Sequence, residues 1–210
     1  MRILITGSSG FLGVNLVKHI QTERPDWEIH GFDLKSSNNT NYNYEVLNFN
    51  SNVDWKEKLR TIEPDMIFHL VGLFRGTKEE MYSTNVSSFQ SFIEGFRDSE
   101  LESRLLVLGS SAQYGADSSI TKPLKEDQQT QPLSFYGETK DNQEKIALSF
   151  HEKFGIDVVC TRPGSLVGKG VSTHLLSGFL TKKFKKNEKT IKVEISNSSD
   201  VRDYIDVRDT

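Results

Sequence analysis

The sequence predicts an α/β protein, a doubly wound and mainly parallel sheet with helices on both faces. Three observations carry this. Strand-like and helix-like segments alternate along the 210 residues, at the spacing of successive βα units. Two interior strands, at 66–71 and 105–108, are apolar almost throughout, as strands covered on both faces must be. The first strand runs directly into a glycine-rich turn, Gly7-Ser8-Ser9-Gly10-Phe11-Leu12-Gly13, which opens a helix.

The elements follow in order. The apolar run Ile3-Leu4-Ile5 makes 2–6 a buried strand, and apolar residues at helical spacing make 11–22 a helix. Residues 28–32 form a second strand that ends on Asp33. The polar, Asn-rich stretch 36–44 is a loop. Further strands are expected at 44–47, 66–71, 103–109, 156–161 and 190–195. Helices are expected at 53–60, 78–97, 134–153 and 173–186.

Composition narrows the function. No apolar run is long enough to cross a bilayer, and the apolar start of the chain is broken at once by Gly and Ser, unlike a signal peptide. The single cysteine, Cys160, excludes an intrachain disulfide framework and suits the cytoplasm. It lies in an apolar run and reads as a small buried hydrophobe. A net charge of −3 gives no global reason to expect nucleic acid. The run Lys182, Lys183, Lys185, Lys186, Lys189 and Lys192 reads as a solvated face, and no Cys/His cluster has metal-ligand spacing, so no metal is expected.

The glycine turn carries the first chemistry. A helix N-terminus offers unpaired N–H groups and a positive dipole end to phosphates. Gly7 permits the tight turn, Gly10 lets backbone approach a phosphate, and Gly13 lets the helix pack on the strand. Asp33, about 20 residues further on, stands where an acid hydrogen-bonds an adenosine ribose. A carboxylate there repels a 2′-phosphate, which favours NAD, while nearby Lys35 keeps NADP open.

The second informative stretch is Tyr136-Gly137-Glu138-Thr139-Lys140. Four residues apart on a helix, Tyr136 and Lys140 share one face, and an ammonium beside a phenol would draw its pKa down from about 10. Ser110 and Ser111 follow an apolar strand. They therefore stand at a strand's carboxyl end, where open parallel sheets bind ligands.

Taken together, these pieces resemble the extended short-chain dehydrogenases/reductases of the NAD-dependent epimerase/dehydratase family, with its Rossmann sheet. The matching segments are Thr6-Gly7-x-x-Gly10-x-x-Gly13, Asp33, His69-Leu70-Val71-Gly72, Asn85-Val86, Ser110-Ser111-x-x-Tyr114-Gly115, Tyr136-x-x-x-Lys140, Arg162-Pro163 and the run from Arg202 to Asp209. The resemblance implies a nucleotide-sugar epimerase or 4-ketoreductase. In it, Tyr136 is the acid/base, Lys140 its partner at the nicotinamide ribose, and Ser110 the hydroxyl that steadies the reacting oxygen. It implies cofactor contacts from Gly7, Ser9, Gly10, Phe11, Leu12, Gly13, Asp33, Leu70, Val71, Gly72 and Pro163 besides Tyr136 and Lys140. Substrate contacts would come from Ser111, Ser165 and Arg202.

Departures from the family pattern sharpen the expectation. Where 4,6-dehydratases carry an Asp-Glu pair for elimination, this chain has Ser111-Ala112, which argues against dehydration. Ser165 stands where the family often has Asn, and His69 reads as a structural strand-end histidine. The resemblance assigns 1–165 to NAD binding with the catalytic set. It makes 166–210 the start of a substrate-binding part cut short relative to the family, with the carboxy-terminal lobe largely absent. It also implies a homodimer through 78–97 and 134–153. A non-catalytic dinucleotide-binding protein of the same fold is the alternative.

Overall fold

A computed structural model of the chain describes residues 1–36, 41–115, 123–185, 193–194 and 202–210. Its main sheet contains β1 (Arg2–Thr6), β2 (Glu28–Asp33), β3 (Asn43–Val46), β4 (Met66–His69), β5 (Arg104–Leu108) and β6 (Val158–Thr161). They lie in the order β3-β2-β1-β4-β5-β6, every neighbouring pair parallel. This is the doubly wound, Rossmann-like arrangement. Its strand order reverses between β1 and β4, where such sheets bind ligands.

Side-chain alternation along β1 splits the core into two layers. Ile3 and Ile5 pack with Val17 and Ile20 of α1 (Phe11–Glu23) and with Ile29. Leu4 faces the opposite side, with Trp55 and Leu59 of α2 (Trp55–Ile62) and Phe89, Phe92 and Phe96 of α4 (Ser88–Ser99). Side chains of this size each contribute roughly 1.5–3 kcal/mol when removed from water. That is why the sheet is apolar on both sides.

Polar side chains cap three of the helices that pack around it. Asp54 accepts from Glu57 N at the start of α2, and Ser134 from Gly137 N at the start of α5 (Phe135–Phe154). Thr77 and Glu80 close a reciprocal capping box on α3 (Lys78–Tyr82). The first helix, like α4, starts without such a cap: Gly10 precedes α1 with no side-chain hydrogen bond, and its first turn carries no acid.

Several elements differ from the sequence expectation. The helix expected over 78–97 is α3, a widened π turn over Ser83–Ser87, and α4. The widening coincides with buried Asn85, which turns inward: its Oδ1 accepts from Leu73 N at 2.6 Å and its Nδ2 donates to Leu73 O at 2.8 Å. The strand expected to reach 71 ends at His69, because Leu70 to Gly72 bend over the glycine turn. A one-turn 3₁₀ helix over Ser111–Tyr114 was not anticipated. Nor were two three-residue strands, β7 (Ser165–Val167) and β8 (Tyr204–Asp206), which pair in parallel as a separate sheet. Helix α6 covers Leu176–Phe184, shorter than expected. The strand expected at 190–195 lies outside the described residues apart from 193–194, which have no regular structure. Lys186, Lys189 and Lys192 also lie outside them. Among the described residues no helix is long and apolar enough to cross a membrane.

Candidate active site

The site is built where β1, β4 and β5 end. Gly7 sits at φ +75°, a left-handed conformation that side chains resist. A Cβ there would also lie 3.0 Å from the Leu70 carbonyl carbon and Val71 N, so the turn and the β4 exit are in contact. At Gly13 an added Cβ would come within 2.3 Å of Gly7 O, which is how closely α1 packs on the turn. Gly10 is exposed, and the one atom such a Cβ would meet is Gly7 O at 3.1 Å. The turn thus presents bare backbone on its outer side.

Asp33, at the end of β2, reaches this turn. Its Oδ2 accepts a hydrogen bond from Ser9 N at 3.0 Å, and its Oδ1 accepts a longer one from Lys35 N at 3.4 Å. Phe11 and Leu12 are half-buried on the first turn of α1. The Phe11 ring lies 3.5 Å from where a Cβ on Gly168 would stand, so β7's exit packs beside it.

Gly72 backs onto Lys140: a Cβ on it would stand 3.1 Å from Nζ. Lys140 itself is 2% exposed and donates to Leu108 O at 2.7 Å and to Gln143 Oε1 at 2.8 Å. Burial, with the charged form losing its water, pulls this ammonium down to about 7. The same desolvation, with the Lys140 charge adding, lowers His69 to about 3. His69 is therefore neutral at pH 7. It pairs its Nδ1 with Thr6 Oγ1 at 3.0 Å amid Phe49, Phe89 and Phe92, a structural residue as read from the sequence.

Tyr136 and Ser110 face one another across the site. Burial raises the phenol above its ordinary value of 10.0, and a hydrogen bond with the Ser110 side chain opposes that rise. The expectation that the lysine draws the tyrosine down is corrected here. The Lys140 ammonium is engaged by the end of β5 and by Gln143, and the group acting on the phenol is a serine hydroxyl. Ser110 Oγ accepts from Ala112 N at 3.2 Å, so a lone pair is occupied while its proton remains to be donated.

The remaining candidates are spread more widely. Ser111 N donates to Pro163 O at 2.9 Å, which ties the β5 exit to the β6 exit. Ser165 is exposed on β7, its N–H donating to Asp203 O at 2.7 Å. Arg202 is exposed one residue before that contact. A continuous path of contacts therefore runs from Asp33 through the glycine turn, the 70–72 segment, Lys140 and the end of β5. Ser165 and Arg202 stand at its outer margin.

Sequence reasoning missed Gln143, Gln113 and Glu144. Gln143 lies three residues after Lys140, on the same helical face, and Ser110-x-x-Gln113 has the spacing of a capping box. Both signals were present in the chain. Cys160 is partly exposed and packs against the larger core, and burial, with the Glu144 charge adding, pushes its thiol up to about 12. It is inert at neutral pH.

Comparison with known proteins gives the arrangement its context. The chain is 28% identical to the GDP-6-deoxy-D-talose 4-dehydrogenase of Aggregatibacter actinomycetemcomitans, over 100% of this chain and 67% of that protein. The structure of MoeE5 in complex with UDP-glucuronic acid and NAD superposes with a TM-score of 0.83 at 25% identity, over 99% of this chain and 69% of that one. The UDP-glucose 4-epimerase of Thermotoga maritima, solved with UDP-glucose, gives a TM-score of 0.86 at 18% identity, over 99% and 70% of the two chains. The chain spans about half to two thirds of the length of such curated relatives. A family model described as the NAD dependent epimerase/dehydratase family matches residues 3–210. From the first glycine of the turn to the final strand pair, this chain belongs to the NAD-dependent epimerase/dehydratase family.

Proposed function

We propose that the protein interconverts a hydroxyl and a ketone on a nucleotide-activated sugar, as an NAD-dependent 4-epimerase or 4-ketoreductase. The observation that carries this is the facing pair of Tyr136 phenol and Ser110 hydroxyl, one helical turn from buried Lys140. The residues fit the cofactor. Bare backbone at Gly10, an α1 start without a side-chain cap or an acid, and Asp33 drawn up to Ser9 make a cradle for a pyrophosphate and an adenosine ribose. Gly7, Ser9, Phe11, Leu12 and Gly13 would line it, with Leu70, Val71, Gly72 and Pro163 along the nicotinamide half. Bound NAD would supply the hydride acceptor or, reduced, the hydride donor.

The chain's own residues handle the proton. With its pKa held up by burial, Tyr136 rests as a neutral phenol, suited to give its proton to the oxygen of a ketone being reduced. Ser110 donates to that same oxygen and stabilises charge as it develops there. In the oxidative direction Tyr136 must first lose its proton, and a cation beside the phenolate would favour that loss. Bound oxidised NAD would supply that charge, while Lys140, one turn along α5 and engaged by Leu108 O and Gln143, would stand at the nicotinamide ribose. Ser111, Ser165 and Arg202 would meet the sugar and its diphosphate, and the substrate-binding part would begin at 166. Ser111-Ala112 offers no carboxyl group for elimination, which supports simple redox over dehydration.

Titrating the purified protein with NAD, then with UDP-glucose, UDP-glucuronic acid and GDP-6-deoxy-D-talose, tests this reading. Binding of NAD and turnover of one sugar are expected, and Tyr136→Phe should remove turnover while sparing NAD. Cofactor binding that no sugar alters would point instead to a non-catalytic dinucleotide-binding protein.

A further inference from the structure

Gln113 has no exposed surface and uses both ends of its amide. Its Oε1 accepts from Ser110 N at 2.8 Å, and its Nε2 donates to Glu144 Oε2 at 2.6 Å. These partners fix which end is which. A backbone N–H can face only the carbonyl oxygen, and an ionised carboxylate only the NH₂. An added Cβ on Gly109 would lie 2.4 Å from Oε1, so the amide is pressed against the end of β5.

Glu144 is buried on α5 and is itself held. Arg162, just past β6, donates from Nε to Oε2 at 2.9 Å and from Nη2 to Oε1. Its guanidinium lies 4.9 Å from the Tyr114 ring centroid, and its Nη1 donates to Glu126 O at 3.1 Å. An ionised carboxylate is costly to bury without partners. Here the partners are an arginine and one glutamine amide, so Gln113 is anchored to a fixed, charged pair. The serine hydroxyl that faces Tyr136 stands on the residue whose backbone this anchor grips.

We propose that Gln113 is a positioning residue: by tethering the Ser110 backbone to the Glu144–Arg162 pair, it holds the Ser110 hydroxyl in line with the Tyr136 phenol. The inference rests on the reading of Ser110 and Tyr136 as the acid/base pair. A misplacement of about 1 Å at such a hydroxyl can cost roughly 100-fold in rate.

Three variants test it: Gln113→Leu, Gln113→Glu, and the exchange Gln113→Glu with Glu144→Gln. The exchange keeps an oxygen facing Ser110 N, an amide facing a carboxylate and one negative charge in the cluster; Arg162 gives up its Nε bond and keeps the one from Nη2. The single Gln113→Glu change sets two carboxylates against each other. Gln113→Leu should lower kcat by about 10- to 100-fold, with KM for the sugar and NAD affinity within about 2-fold. In a Ser110→Ala background it should add less than about 2-fold, because the group it positions has gone. The exchange should recover kcat to within about 3-fold, and Gln113→Glu alone should not.

Hydrogen exchange at the Ser110 amide, read by NMR, decides the tether without turnover. It should quicken in Gln113→Leu and return to the unaltered rate in the exchange variant. Full kcat in Gln113→Leu, a loss that multiplies with that of Ser110→Ala, or an unchanged Ser110 amide would each overturn the proposal. An unaltered protein that turns over no sugar defeats the functional reading instead, and amide exchange still decides the tether. If Gln113→Leu does not fold, the exchange variant decides both.

Discussion

Leu108, the last residue of β5, accepts a 2.7 Å hydrogen bond at its carbonyl oxygen from Lys140 Nζ. One strand end is thereby joined to a helix that begins 27 residues later, and a buried cation gains a partner that carries no charge. Gln143 Oε1 is its second partner, also neutral. The lysine is therefore held without the carboxylate that a buried ammonium would ordinarily have.

This predicts a pH dependence of stability. In the fold Lys140 loses its proton near pH 7, and in the unfolded chain near its ordinary 10.5. Between those values the unfolded chain holds the extra proton, so stability rises with pH, by up to about 1.4 kcal/mol per unit. Below pH 7 both states are protonated and this contribution is flat, at its least favourable. Urea midpoints between pH 6 and 9 should climb more steeply for the unaltered protein than for Lys140→Met. Parallel curves would remove the assignment.

Ser110→Ala should lower turnover by roughly 100-fold while leaving NAD affinity within about 2-fold, because the hydroxyl acts on the reacting oxygen. The variant also removes the hydrogen bond that restrains the rise of the Tyr136 pKa. The alkaline limb of the pH–rate profile should move, and steady-state rates from pH 6 to 11 read it.

Gly13→Ala and Gly10→Ala should separate stability from binding. At position 13 the methyl would meet Gly7 O at 2.3 Å, and overpacking of this kind costs about 1–3 kcal/mol. At position 10, on an exposed residue, the one atom the methyl meets is Gly7 O at 3.1 Å, a contact that a shift of a few tenths of an ångström relieves. The second variant should melt near the unaltered temperature yet bind NAD at least about tenfold more weakly, a loss of about 1.4 kcal/mol. Melting curves and calorimetric titration measure the two effects.

Asp33→Asn should weaken NAD binding and narrow the gap to NADP. The charged acceptor for the ribose hydroxyls becomes a neutral one, a hydrogen bond to a charged group being worth about 1.5–3 kcal/mol, and the repulsion of a 2′-phosphate goes with it. Calorimetry with both cofactors should give an NADP/NAD affinity ratio raised by about tenfold or more. An unchanged ratio would show that Asp33 does not select the cofactor.

The sheet was legible because its strands are short apolar runs separated by helices, a local pattern. The glycine turn, Asp33, Ser110, Tyr136 and Lys140 were legible because each sits at a strand end or helix start that the pattern locates. What escaped was non-local. The 71 end of β4 depended on Gly7 pressing against Leu70 and Val71, and the break in 78–97 on Asn85 reaching Leu73. The strands β7 and β8 pair across a long stretch of intervening sequence, and three residues give too short a period to read. The direction of the Lys140 side chain is likewise a matter of where β5 ends, which helical spacing alone does not say.

The pairing of β7 with β8 closes a long stretch of chain with three residues on each side. Such closure carries a large entropic cost and little contact area to offset it. This corner should therefore assemble last and fray first, in advance of the main sheet. Because Gly168 at the exit of β7 lies against the Phe11 ring, each such fraying would uncover the root of α1. The start of α1 would then be covered or bared by a strand pair that stands outside the main sheet.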